Sequence, residues 1–251
     1  MQNNDEFMVF PDKKLMQKYH VAMSNALMKA LANADLSINS WRVLLTAIAL
    51  VDTNQSKIYA YEIGGAELAT LLEIDKYNLY GDIKIIVDEL GKLTVKVDTE
   101  DIYASTHVFN SFMFDKKCQK FYMKIETKLA GHIINLFRDY TSPLWKNMIG
   151  LKLQSSVKLW MFLMSRSCGG KKEIKEMLTI EELREATGTL NKYKNNGDWE
   201  KYVLARAIKD IELNCHVIVS YIPIKKSGSI IGYKIKLLKS ARKIGKVGIT
   251  T

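Results

Sequence analysis

The chain is 251 residues long, 47% hydrophobic and 25% charged, the balance of a globular protein and not of a disordered or fibrous one. No apolar run approaches the roughly 20 residues that a membrane span needs, and "MQNNDEFMVFPDKK" lacks the regions of a secretory leader. The net charge of +10 is segregated, with 20 Lys and Arg against 9 Asp and Glu in residues 152–251 but 17 against 18 before them, which points to a polyanionic partner at one end, nucleic acid before membrane.

In chain order, "SINSWRVLLTAIALVD" is expected to be a helix, its apolar residues recurring at three and four positions. "EIGGAELATLLEID" reads as a short second helix. "YNLYGDIKIIVDELGK" reads as a third, with Leu79, Ile83, Ile86, Val87 and Leu90 on one stripe. Two β-like segments follow, "VFNSFMF" and "KFYMKIE", around the polar tip "DKKCQ". "LAGHIINLFRDYTSPLWKNMIGLKL" comes next. Its front is periodic enough for a helix, Pro143 interrupts it, and the joint between two domains is expected there.

The order then repeats. "SSVKLWMFLMSRS" is a helix, and "LTIEELREATGT" is a short one with Thr179 and Glu182 at capping-box spacing. "GDWEKYVLARAIKDIELN" is a longer helix with Asp198 as its expected N-cap. "VIVSYIPI" and "IIGYKIKLL" close a hairpin around "KKSGS". Glu67-Leu68 and Glu182-Leu183 stand at an offset of 115 residues. Helix, helix–turn–helix and hairpin, twice over, predict an α+β chain of two tandem winged-helix domains. In that arrangement the third helix enters the major groove and the hairpin wing reaches the backbone. The expected division is 1–142 for the first domain, which would make auxiliary DNA contacts, 143–240 for the main DNA-binding domain, and a basic tail at 241–251.

A helical wheel of the longer helix places Val203, Leu204, Ala207, Ile208 and Ile211 in the core. Tyr202, Ala205, Arg206 and Lys209 face the other way, with Lys201 on the flank. Lys192, Tyr193 and Lys194 lead into the helix, and Lys225 and Lys226 sit in the wing. Any one lysine could simply solvate the surface, but the group, set between two helices and a wing, is expected to hold phosphates. Arg206 is the best placed to read guanine. The first unit's third helix turns Tyr77, Tyr80, Lys84, Ile85 and Asp88 outward, which suits weaker backbone contacts or a protein interface.

Chemistry finds no foothold. The four histidines show no metal spacing, and the three cysteines (Cys118, Cys168, Cys215) no CxxC, as expected of free thiols in a reducing cytoplasm. "EIGGAE" lacks the residues of a phosphate-binding loop. Neither a cofactor nor a metal is expected, and no catalytic residue. A nicking or priming enzyme is the reading from another class, and a winged-helix repressor without a replication role is the nearer alternative.

Three stretches resemble the iteron-binding plasmid replication initiators of the Rep_3 type. They are "SNALMKALANADLSINSWRVLLTAIALVD", "LQSSVKLWMFL" and "LTIEELREATGTLNKYKNNGDWEKYVLARAIKDIELNCHVIVSY", and the likeness spans about residues 22–238. In the last stretch ELR, KY, DW and VL all stand in register. The resemblance implies a monomer that binds direct repeats at a plasmid origin and helps to open it for a host helicase or initiator. It also implies a homodimer, formed through the first domain (1–142), that represses its own promoter from an inverted repeat. Two departures stand out. Ser40 occupies a position where the family usually has Glu, and Glu200, Lys201 and Tyr202 follow Asp198-Trp199 where basic residues are common. Lys201 carries over, Tyr202 matches in position with altered chemistry, and Glu200 is left open between a contact to cytosine and a helix cap.

Overall fold

The computed structural model describes residues 7–9, 11–54, 57–98, 103–136, 139–166 and 173–239; the expected tail at 241–251 and Cys168 lie outside them. Short leading elements, β1 (Phe7–Val9), α1 (Lys13–Met16) and β2 (Met23–Ser24), precede α2 (Asn25–Ala32). α3 (Ile38–Leu50) is buried on almost every side, so it is the central helix of the first unit and not a surface one. Ser37 caps it, accepting from the Ser40 amide at 3.3 Å. In a capping box the third helical residue is an acid that returns to the cap's own N–H. Ser40 cannot do this, and Glu89, 52 residues along the chain, accepts from the Ser37 amide at 2.8 Å instead.

The first winged unit continues with β3 (Ala60–Gly64), α4 (Gly65–Leu72), α5 (Lys76–Gly91), β4 (Thr94–Asp98), β5 (Tyr103–His107), β6 (Phe109–Asp115) and β7 (Lys120–Ile125). Asp75 starts α5 by accepting from the amides of Tyr77 and Asn78. The expected hairpin is β6–β7, and β3 joins it in a sheet of order β1-β3-β7-β6, with β1 parallel to β3. "EIG" therefore belongs to a strand and not to the second helix. β4 and β5 form a separate hairpin ahead of the wing that the apolar pattern did not announce.

Residues 129–136 and 139–142 are not the expected helix. A 3₁₀ turn ends at His132, and Asn135 and Asp139 take left-handed conformations (φ 53° and 52°). These reverse the chain so that the Asn135 amide donates to Thr53 O and Asp139 O accepts from the Asn25 amide. β8 (Tyr140–Thr141) then pairs with β2. Beyond Pro143 lie α6 (Trp145–Gly150) and α7 (Gln154–Ser165). α6 packs on α3 of the first unit and on the last helix of the second, and α7 packs on α2 as well. The Trp145 indole donates to Thr46 Oγ1 at 2.9 Å inside this contact. The two units thus share one continuous apolar core.

The second unit repeats the first: β9 (Glu173–Thr179), α8 (Ile180–Ala186), α9 (Asn196–Trp199), α10 (Ala205–Cys215), β10 (Val217–Lys226) and β11 (Ser229–Lys239), with sheet order β10-β11-β9. β3 ends at Gly64 and β9 at Thr179, so the offset of 115 extends to a strand that precedes each helix pair. The capping box at Thr179 and Glu182 is present in both directions. α9, a π turn at Glu200–Leu204 and α10 run as one helix, in which the Ala205 amide reaches back five residues to Glu200 O.

Two stability measurements check this description. Thr179→Ala removes the cap hydroxyl and should cost about 1 kcal/mol, seen as a lower urea midpoint at unchanged slope. Burial holds the imidazole of His132, bonded to Ser24 Oγ at 2.9 Å, below its usual pKa. Below roughly 6.5 the unfolded chain binds this proton more readily than the folded one, so stability falls as pH drops from there through the lowered folded pKa. His132→Gln should make the decline between about pH 7 and pH 5 shallower.

Candidate nucleic-acid interface

The turn between the second and third helices differs in length between the two units. It spans residues 73–75 in the first and 187–195 in the second. A long polar turn needs internal partners, and here a buried arginine supplies them. Arg184 of α8, 8% exposed, donates to Tyr193 O at 2.5 Å and to Asn196 Oδ1 at 2.9 Å, and its guanidinium lies 5.4 Å from the Trp199 ring centre. The Trp199 indole, fully buried, donates to Thr189 Oγ1 at 2.8 Å, which also bonds Thr187 Oγ1. Gly188 (φ 69°) packs against the Lys158 side chain so closely that a methyl there would fall 2.6 Å from Nζ. Arg184 of the ELR run and Trp199 of the DW pair are thus the frame of the turn, inside the protein, while Asp198 is exposed.

This frame decides where each expected residue lies. Lys192 and Lys194 are exposed on the turn, while the Tyr193 ring is half-buried against the core and anchors the segment between them. The helix starts one turn earlier than expected. Asn195 is the N-cap, accepting from the Gly197 amide at 2.8 Å, and Asp198 lies in the first turn. Asparagine's short side chain reaches the free amide, and glycine is tolerated where no backbone acceptor precedes it.

Val203, Leu204, Ala207, Ile208 and Ile211 are buried, as the wheel requires. On the opposite face Tyr202 is 44% exposed and sits between two cations: Lys201 Nζ is 5.1 Å and the Arg206 guanidinium 5.7 Å from its ring centre. Lys209 follows on the exposed side. Glu200 neither caps the helix nor faces outward freely, since it accepts from the Tyr233 hydroxyl of β11 at 2.7 Å. Burial first, and then this bond, push the Tyr233 phenol well above its ordinary pKa. The bond ties the third helix to the sheet that carries the wing.

Lys225 and Lys226 pair with Ile230 and Ser229 at the wing tip. They lie just past a bulge at Ile224, around a Ser227-Gly228 turn with both φ positive, which matches the twist of a hairpin. Among the described residues none of Lys192, Lys194, Lys201, Arg206, Lys209, Lys225 or Lys226 has an acidic partner. By contrast Lys175 and Lys236, on the sheet behind, both pair with Glu173 at 2.9 Å.

In the first unit Tyr77 (77% exposed) and Lys84 lie outward as expected, beside exposed Ile85. Tyr80 does not. It is half-buried, edge-on to Phe114 of the wing at 6.1 Å, because the sheet closes over that side of α5. Lys116 and Lys117, both exposed, were passed over in the sequence reading and occupy at the tip of β6–β7 the place that Lys225 and Lys226 hold in the second wing. Comparing the two hairpins would have found them.

The family model described as "Initiator Replication protein, WH1" matches residues 20–164, and "Initiator Rep protein, WH2" matches 179–237. The chain belongs to the initiator replication proteins. Among solved structures, this initiator is similar to one titled "Crystal structure of Pi initiator protein in complex with iteron DNA", with a TM-score of 0.76 and 19% identity over 90% of this chain and 99% of that one. A structure of domains 2 and 3 of RctB matches at a TM-score of 0.46 and 10% identity, over 87% and 82% of the two chains. No curated protein matches by sequence. Both winged helices expected from the sequence are present, and no helix among the described residues is long and apolar enough to cross a membrane.

Tyr233→Phe should cost about 1.5–3 kcal/mol of stability, as expected for losing a hydrogen bond to a charged group. Because no cation is removed, the salt dependence of any DNA binding should be unchanged, which titration at several salt concentrations would show.

Proposed function

We propose that this initiator binds double-stranded DNA at direct repeats of a plasmid origin and acts by binding, without catalysis. α9–α10 lies in the major groove with Arg206 reading a base. Lys192, Lys194, Lys201, Lys209 and the wing pair Lys225 and Lys226 hold phosphates. The observation that carries the reading is the set of cations without acidic partners on the outward side of one winged unit, in a chain of the initiator family. The structural relative bound to iteron DNA supports the direct-repeat target. The first unit, through Tyr77, Lys84 and a minor contribution from Tyr80, makes weaker contacts.

Opening of the origin for a host helicase or initiator, in the cytoplasm, belongs to the same proposal. So does a homodimer through the first unit that represses its own gene from an inverted repeat. Exposed Ile85 beside Asp88 suits a protein contact better than a phosphate one.

Arg206→Ala should weaken binding to the cognate repeat by about 1–3 kcal/mol and relax specificity, whereas Lys225→Ala should weaken all duplexes alike and flatten the salt slope. Unchanged affinity of Arg206→Ala in a fluorescence titration would remove the base-reading role. Binding to a lone palindrome but not to tandem repeats would favour a repressor, and metal-dependent nicking of a supercoiled origin plasmid by the pure protein would favour an enzyme.

A further inference from the structure

A continuous run of polar contacts connects the third helix of one winged unit to the third helix of the other. It starts at Asp82 of α5, which accepts from Asn39 Nδ2 at 2.7 Å. Asn39 Oδ1 accepts from Arg42 Nη1 at 3.3 Å, both residues lying on α3. Arg42 then crosses to the joint, its Nε donating to Ile149 O at 3.0 Å and its Nη2 to Leu151 O at 3.4 Å. The next two amides of the same segment, Lys152 N and Leu153 N, donate to Asp210 Oδ2 at 2.9 and 3.1 Å. Asp210 belongs to α10, and its other oxygen accepts from Asn214 Nδ2 at 2.8 Å.

We propose that this run is a positioning relay: it fixes the offset between the two third helices and thereby the spacing of the two DNA segments that the chain can grip at once. The inference rests on the DNA-binding reading above. Three features argue for alignment and not mere adhesion. First, the joint is already held by apolar packing of Trp145, Met148 and Leu151, which is non-directional, whereas hydrogen bonds restrict sliding and rotation. Second, the relay meets each third helix well inside its length, so a change at either end turns the whole helix. Third, the approach is tight at Gly150, where an added methyl would lie 3.0 Å from Asn214 Oδ1. Asn39 and Asp210 are each 8% exposed, so they align helices and do not themselves reach DNA. Spacing matters because B-DNA places successive sites on one face only every 10–10.5 base pairs or so.

The test uses the full chain. A duplex is selected by the wild-type protein from a random library, and hydroxyl-radical footprinting locates the two protected segments. Duplexes with one or two base pairs inserted between the segments are then compared with the original. Wild type should lose roughly tenfold in affinity on respacing, the scale of an ordinary coupling between two sites. In Asn39→Ala and Asp210→Asn, affinity for the original duplex should fall several-fold while that for the respaced ones barely changes, so the respacing penalty shrinks below about threefold. The salt slope should stay the same, since neither variant removes a cation. Asn39→Ala leaves Arg42 and both Asp210 contacts to the joint in place, so it decides the matter even where Asp210→Asn melts early. A respacing penalty in folded Asn39→Ala equal to that of wild type overturns the relay while leaving the DNA-binding reading intact. Failure of the wild-type chain to select any duplex overturns that reading, and the relay with it.

Discussion

The structure turns on the segment around Gly150, where a half-buried and a buried charge, one from each unit, grip one short stretch of backbone. Arg42 takes its carbonyls and Asp210 its amides. Burial lowers the pKa of Arg42, and the field of Asp210 raises it again. A helix end and a helix start meet here, so carbonyls and amides would otherwise lie unpaired beside the core. Each unit therefore completes the backbone of the joint with a side chain of its own. The fold is two repeats in pattern, but α6 and α7 serve both, and the first family match accordingly extends through α7 to residue 164.

From that joint the second unit projects a helix and a wing as one piece. Glu200 and Tyr233 bond across them, with Trp199 6.4 Å from the Tyr233 ring centre and Tyr221 5.7 Å on its other side. The bond occupies the first residue of the π turn, so the place where helical geometry departs from the ordinary is also the place where the helix is tied down. The outward face of the helix and the wing thus share a common support, and the nine-residue turn is held against it by Arg184 and Trp199.

Much of this was legible in the sequence, and what was not has physical reasons. The core stripe of α10 and the outward Lys201, Tyr202, Arg206 and Lys209 follow from helical period alone. The strands β3 and β9 escaped because each runs straight into a helix with no residue between, and β9 buries only Ile174 and Leu178. Asp198 looked like the cap because Gly197 looked like a break, yet a helix's first turn has no acceptor to lose. Arg184 read as one more charge in "EELREA"; its main partner is a carbonyl nine residues away, which no side-chain pattern announces. Glu200 could not be assigned from neighbours either, since Tyr233 is 33 residues distant.

The carboxylate that Glu89 lends to Ser37 has a consequence for how the first unit assembles. A local capping box closes as soon as one turn of helix forms, within a few residues of chain. Here the start of α3 is completed only when α5 has docked, after a loop of 52 residues has been brought together. The conformational entropy of that loop must be given up before the cap contributes anything. α3 and α5 should therefore gain their order in one cooperative event, and α3 is poorly suited to act as an independent nucleus.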